Sequence, residues 1–317
     1  MAHTKIVMRY LKFIILVTLS LIGVDNLFAQ VDKKADDLKQ RIQKSSAILT
    51  IAEKNDDIKT FLALYEENAI SMHDYQPMLR GINDIETYYK EIFRRQIIKA
   101  FQRKTEEVIN LGKTTIVEIG TFKKECSVQE ADSIFVLNGK YCCVWNIQAD
   151  GSLKIKGEIF GFFHEIKKPE NFVVSLQSHF VESDIHKESE IPIELRAYNA
   201  LMEKYVKNGE GALRSQFFSN DGRFMPFSHP TLTGMDELKP YLIAYDTRGV
   251  DFKFDFLSVY TYDYEYFDEY VLEYPKFKVK WSTPSASGVA EGKNIRIWKR
   301  QRDKSLKLYL EISTHNL

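Results

Sequence analysis

The sequence predicts an α+β protein built from two cone-shaped domains, each with three N-terminal helices packed on a curved antiparallel sheet. Three observations lead there. The chain repeats itself: residues 54–159 align without a gap on residues 207–312, 153 positions later. Within each copy, helical periodicity comes first and strand periodicity follows, the order of an α+β fold. Each copy with its leading helix spans roughly 130 residues, enough for its own core and far beyond a solenoid unit of about 20–50.

The repeat is carried by framework residues. Met72, Pro77, Leu79, Gly81 and Tyr88 return as Met225, Pro230, Leu232, Gly234 and Tyr241. Gly139, Lys140, Trp145, Asp150, Ser152, Leu153, Lys154, Glu158 and Ile159 return as Gly292, Lys293, Trp298, Asp303, Ser305, Leu306, Lys307, Glu311 and Ile312.

The elements follow in order. Leu38, Ile42 and Leu49 put an apolar side on a helix over 36–55. Asp57 can cap a second helix carrying Ile58, Phe61, Leu62 and Tyr65 at i, i+3, i+4 and i+7. A short strand is expected over 69–75. Gly81 then ends a loop before a third helix with Ile82, Ile85, Tyr89 and Ile92. Strands are predicted near 104–111, 114–126, 134–148 and 153–165, with turns at Asn110-Leu111-Gly112 and Ala149-Asp150-Gly151. In the second copy, Pro192 suits the first turn of a helix running to Asn208. A short helix over 213–218 follows, then a stripe of Met235, Leu238, Tyr241, Leu242 and Tyr245. Strands are expected near 252–266, 269–281, 290–301 and 306–315. The domains are thus 31–168 and 191–317, joined by a connector over 169–190. An apolar part of the linking segment, 172–181, is expected to add a strand to the first domain, and 182–190 to be solvated.

The N-terminus reads as a signal peptide over 1–29. Lys5, Arg9 and Lys12 precede an apolar run from Phe13 to Val24, too short for a comfortable membrane span, and Ala29 offers a cleavage point. A periplasmic or secreted location is the expectation. Of the three cysteines, Cys142 and Cys143 are adjacent and face opposite sides of a strand, so at most one can meet Cys126. Buried free thiols, with at most one bridge, are expected. Charge is balanced at 44 basic and 44 acidic residues, which argues against a nucleic-acid footprint. Gly-rich phosphate loops, zinc spacings and the G-x-S-x-G elbow are absent from the sequence, and no cofactor is expected.

The segment Pro77-Met-Leu-Arg-Gly81-Ile-Asn-Asp-Ile85-Glu-Thr-Tyr88 resembles the loop-into-helix segment of SnoaL-like domains of the nuclear transport factor 2-like (cystatin-like cone) superfamily. Pro230-Thr-Leu232-Thr-Gly234-Met-Asp-Glu-Leu238-Lys-Pro-Tyr241 resembles it again. Gly139-Lys140-Tyr141-Cys-Cys-Val144-Trp145, followed by Asp150-Gly151-Ser152-Leu153-Lys154-Ile155, is similar to that family's last hairpin. The second copy replaces the turn glycine by Lys304. The resemblance implies a cone fold in both copies. It implies no single activity, because the superfamily holds isomerases, cyclases, dehydratases and ligand binders.

Candidate site residues are the large or titratable side chains expected near the two cones: Met72, His73, Tyr88 and Trp145 in the first, Met225, His229, Tyr241 and Trp298 in the second. Trp145 should lie opposite Ile155, and Trp298 opposite Leu308, on the inner face. Either histidine could serve as an acid or base near neutral pH. Glu158 and Glu311 alternate with apolar neighbours, so strict period 2 places them on the outer, solvated face. Tyr260, Tyr262, Tyr264 and Tyr266 alternate along one strand, and period 2 gives them one shared face, either packed as core or offered to a protein partner or a sugar. The leading expectation is a binding protein for a small, largely apolar ligand, with domain–domain or homodimer packing through the sheets. The alternatives are an acid/base enzyme and a protein-interaction module.

Overall fold

The computed structural model describes residues 36–128, 131–176, 188–247 and 251–316. The expected signal peptide and residues 177–187 of the connector lie outside them. Residues 47–317 form one compact unit, which holds both sheets. The first copy runs α1 (36–54), α2 (Ile58–Leu62), β1 (Tyr65–His73), β2 (Leu79–Arg80), α3 (Gly81–Arg95), β3 (Gln96–Asn110), β4 (Thr115–Val128), β5 (Ala131–Ile147) and β6 (Leu153–Phe162). The second runs α4 (Ile193–Lys207), α5 (Gly211–Arg214), β7 (Phe218–Met225), β8 (Leu232–Thr233), α6 (Met235–Thr247), β9 (Lys253–Tyr266), β10 (Tyr270–Ser282), β11 (Ser287–Arg300) and β12 (Leu306–His315).

The strand orders are the same: β2-β1-β6-β5-β4-β3 and β8-β7-β12-β11-β10-β9. This is the α+β fold the sequence predicts, made twice. The sheets are antiparallel except at one place in each, because β1 runs parallel to β6 and β7 parallel to β12. Asp57 caps α2 as expected, accepting a hydrogen bond from the Thr60 amide at 3.1 Å. The recurring Gly81 and Gly234 have φ of +71° and +76°, the left-handed region that favours glycine. β3 begins at Gln96, well before the predicted 104. The register shifts between Ile98 and Ala100, so period 2 is broken at the start of the strand. The extra strand expected over 172–181 is not formed in the described part. Pro169–Phe172 is a 3₁₀ turn, and the Gln76 side chain holds both backbone groups of Val174.

One irregularity per copy controls the sites. Trp145 pairs with Ile155 and Val144 with Gly157, so Lys156 is an extra residue in β6. Trp298 pairs with Leu308 and Ile297 with Leu310, so Tyr309 is extra in β12. A bulge of this kind re-aims every side chain beyond it. Glu158 and Glu311 therefore turn inward beside Trp145 and Trp298, and both are buried. The outer, solvated placement expected from strict alternation is wrong for this reason.

The other face of each sheet meets the other copy. A single buried cluster takes Met72, Val117, Cys142, Val144 and Ile159 from the first sheet and Met225, Leu272, Ile295, Ile297 and Ile312 from the second. The two bulge residues reach across: Lys156 pairs with Glu265, and the Tyr309 hydroxyl donates to Glu107, which also pairs with Arg223 at 3.1 Å. All three cysteines are buried free thiols, with Cys142 in this inter-sheet core.

The tyrosine row is also divided by a bulge. Tyr274 pairs with Asp263 and Pro275 with Thr261, which makes Tyr262 the extra residue. Tyr262 is buried in the inter-sheet core, between Arg80 and Lys276 over its ring. Tyr264 instead packs against the core of the second cone, and its hydroxyl donates to the Glu190 carbonyl. The four side chains do not share one face.

Candidate functional site

The two cones share a buried scaffold. Trp145 donates its ring N–H to Glu118 at 2.9 Å, and Trp298 to Glu273 at 2.8 Å. The other oxygen of Glu118 accepts from Thr105 at 2.7 Å, and that of Glu273 from Thr261 at 2.6 Å. Both tryptophans are fully buried core residues with satisfied N–H groups, and neither lines its cone's cavity. Thr105 and Thr261 lie 156 positions apart and Glu118 and Glu273 lie 155 apart, not 153. The copies therefore differ in loop lengths that cancel before Trp145, which hides the Glu pair from an ungapped alignment.

The first cone is filled. Glu158 accepts hydrogen bonds from Tyr65 and Ser71, both at 2.7 Å, and Ser71 lies 3.0 Å from the His73 ring nitrogen. His73 is sandwiched between Tyr88 (4.9 Å) and Phe160 (5.3 Å). The Arg103 guanidinium lies over the Tyr141 ring at 4.1 Å and 3.8 Å from Glu118. Burial raises the Glu158 carboxyl to about 7, against the opposing pull of Arg103 and its two hydroxyl donors. Burial also lowers His73 to about 3, helped by Lys293 and Lys124, so its ring is neutral. The space left is a cavity of about 70 Å³ bordered by His73, Asp74, Tyr88, Tyr89 and Phe160, and Glu158 does not reach it.

The second cone is open. Its cavity is about 690 Å³, within the range of small-molecule sites. The walls carry Phe224, Phe227, Tyr241, Phe254, Phe277 and Trp281. The floor carries charge. Glu311 accepts from Arg296 at 2.8 Å and from Asn294 at 2.7 Å. Arg296 also donates to Asn199 at 2.8 Å and lies 3.7 Å from Glu273. Arg214 donates to Asp246 at 2.9 Å. Burial pushes the Glu311 carboxyl up, but Arg296, Arg214 and the Asn294 donor outweigh it and hold the group below the ordinary carboxylate range.

The sequence-predicted residues divide accordingly. His73 and Tyr88 border the small cavity; His229 and Tyr241 border the large one, with ring centres 4.7 Å apart. Met72 and Met225 are not at a cone mouth: odd–even alternation on β1 and β7 sends them into the inter-sheet core. The residues the sequence reading missed are the polar floor: Arg296, Glu311, Asn294 and Arg214. A visible signal existed, since Arg296 stands between Ile295 and Ile297 in an otherwise apolar stretch of strand.

Compared position by position, 153 residues apart, the difference between the cones is consistent. Phe61, Phe93, Tyr141, Cys143 and Phe160 of the first copy stand where the second has Arg214, Asp246, Asn294, Arg296 and Ser313.

No family model matches this sequence, and no curated protein matches it. Solved structures do. A ketosteroid isomerase-like protein from Erwinia carotovora atroseptica is 13% identical over 40% of this chain and 96% of that chain, with a TM-score of 0.38. A conserved protein from Planctomyces limnophilus is 12% identical over 41% of this chain and 99% of that chain (TM-score 0.37). A nuclear transport factor 2-like protein from Cytophaga hutchinsonii is 13% identical over 38% and 95% (TM-score 0.34). Each match spans about one copy of the repeat. At these identities no activity is carried across.

Proposed function

We propose that this is a binding protein in which the second cone holds a small, largely apolar ligand and the first cone is its filled structural mate. One observation carries the reading: the cavity of about 690 Å³, with aromatic walls over the Arg296–Glu311 floor. Buried ion pairs and voids both work against stability. The equivalent positions of the first copy are filled by aromatic and thiol side chains, so the fold does not require the polar, hollow version. Aromatic walls with a few fixed polar groups are the make-up of a small-molecule pocket. The basic and apolar N-terminal run supports an exported location for such a protein.

The test is titration with the neutral aromatic dye Nile red, read by fluorescence, on wild type and Ser313→Phe. Ser313 lines the large cavity at the place Phe160 occupies in the filled cone. Wild type is expected to bind the dye with saturable, one-site behaviour. S313F is expected to lose at least about tenfold in affinity, the equivalent of about 1.4 kcal/mol. Equal binding by the two proteins, or none by wild type, sinks the reading.

The acid/base alternative draws on two observations: Glu158, Ser71 and His73 form a hydrogen-bonded row in the first cone, and His229 borders the large cavity of the second. Among the described residues that row meets a cavity of about 70 Å³, which it borders at His73.

A further inference from the structure

Lys140 and Lys293 recur in the repeat, yet neither belongs to the cone floors. Both are buried, Lys140 completely and Lys293 nearly so. Lys140 donates to the Phe162 carbonyl at 3.1 Å in its own copy and to the Pro226 and His229 carbonyls of the other copy. Lys293 donates to the His315 carbonyl at 3.4 Å in its own copy and to the His73 (2.8 Å) and Gln76 carbonyls of the other. These acceptors match one for one at 153 positions' separation. Each copy thus inserts an ammonium group into the loop that follows the first strand of its twin. Three carbonyls for three N–H donors is a full set for Lys140. The buried carboxylate of Asp74 acts on both lysines.

The two straps are equivalent in geometry but not in what they border. The loop held by Lys140 supplies Pro226, Phe227, Ser228 and His229 to the rim of the large cavity. Phe227 is stacked on His315 at 4.3 Å and meets Tyr75 of the first copy at 5.5 Å. Glu165, also from the first copy, lines the same cavity. The loop held by Lys293 supplies His73 and Asp74 to the small one.

We infer that Lys140 is a positioning residue for the second cone: the first copy completes the ligand site by pinning its rim loop at the Pro226 and His229 carbonyls. This rests on the binding reading for the dye measurement, but not for the measurement of the rim itself.

The experiment compares Lys140→Met with Lys293→Met in the full chain, by hydrogen exchange without ligand and by Nile red titration. In K140M the amides of 227–229 are expected to exchange about tenfold faster, with the loop at 73–76 unchanged, and K293M should show the reverse. K140M is expected to weaken the dye about tenfold, and K293M by less than about threefold. A merely structural lysine would lower the melting temperature of both variants and leave the affinity of the folded protein alike in the two. If K140M does not fold, Lys140→Gln, which keeps two donors, takes its place. Unchanged exchange at 227–229 overturns the inference whether or not the dye binds. Faster exchange with equal dye affinity in both variants overturns the link to the site. Dye binding absent from wild type, with the exchange asymmetry present, removes the binding reading and leaves the strap.

Discussion

The two cones are built on one frame and have diverged in opposite senses. In the first, a carboxylate that holds its proton to about pH 7 is sealed behind Tyr65, Ser71 and a stack of aromatic rings. In the second, the equivalent carboxylate sits under a large cavity but is held ionised by two arginines. The first copy keeps the protonated carboxylate without the room, and the second has the room over an ionised one. The lesson is that burial alone does not set the state of a carboxylate. The same Trp–Glu scaffold supports either outcome: Arg296 donates directly to Glu311 at 2.8 Å, whereas Glu158 accepts from the Tyr65 and Ser71 hydroxyls and the Arg103 guanidinium lies over Tyr141.

The most damaging way to test this contrast is to remove the charge that defines the open cone. Arg296→Met leaves Glu311 and Glu273 buried without their shared cation, and breaking such a pair costs about 3–5 kcal/mol. Chemical denaturation at pH 7 should show that loss, and it should shrink as pH falls and the stranded carboxylates take up protons. Cys143→Ala at the matching place removes only one sulfur atom from a packed wall and should cost about 1 kcal/mol. Equal losses would mean that the guanidinium does not organise the floor.

Glu158→Gln sharpens the contrast from the other side. The folded-state pKa of Glu158 is raised from 4.5 to about 7, so the native state keeps a proton the unfolded chain has released. Stability therefore falls as pH rises from about 4.5, and the loss is complete above about 7. Gln removes the titration and keeps an acceptor for Tyr65 and Ser71. The variant should match wild type near pH 4 and exceed it at pH 8 by an amount on the order of 3 kcal/mol. A wild-type advantage at pH 8 would show that the buried carboxylate is needed in its ionised form. Ser313→Phe gives a smaller change in stability: filling the hollow should add about 1 kcal/mol while it weakens dye binding by at least about tenfold.

How much of this was legible in the sequence follows from what leaves a mark there. The frame was legible because Gly81, Trp145, Asp150 and their echoes recur, and because apolar spacing shows helices and strands. Gly139 and Gly292 show why some echoes are strict: a Cβ there would lie within 2.4 Å of the Gly161 or Thr314 carbonyl on the paired strand. The sites were not legible, because a single extra residue, Lys156 or Tyr309, inverts the faces beyond it and changes nothing in composition. Period 2 read through that bulge put both glutamates outside. The same failure split the tyrosine row at Tyr262. The Glu118–Glu273 pair was hidden by loop-length changes that cancel within the repeat. The inter-sheet destination of Met72 and Met225 depended on contacts between copies, which no single-copy pattern reports.

The mildest test concerns the last hairpin, the one motif the two copies share in chemistry but not in backbone fit. Asp150 accepts the Ser152 amide at 2.9 Å and Asp303 the Ser305 amide at 3.0 Å, so both turns are closed in the same way. The residue between them is left-handed in each, Gly151 at φ +83° and Lys304 at +72°. Glycine adopts that backbone without strain, whereas a residue with a Cβ bears about 1–2 kcal/mol. Glycine also has more freedom to lose on folding, which offsets part of the gain. Lys304→Gly should therefore stabilise the chain by less than about 1 kcal/mol, and Gly151→Lys should destabilise it by a similar amount. No other heavy atom lies within 4 Å of the place a Cβ would take at Gly151, so backbone strain is isolated from packing in this pair. If both changes were neutral in thermal unfolding, the lost glycine would reflect drift at a solvated turn, and the two hairpins would be equivalent in energy as well as in shape.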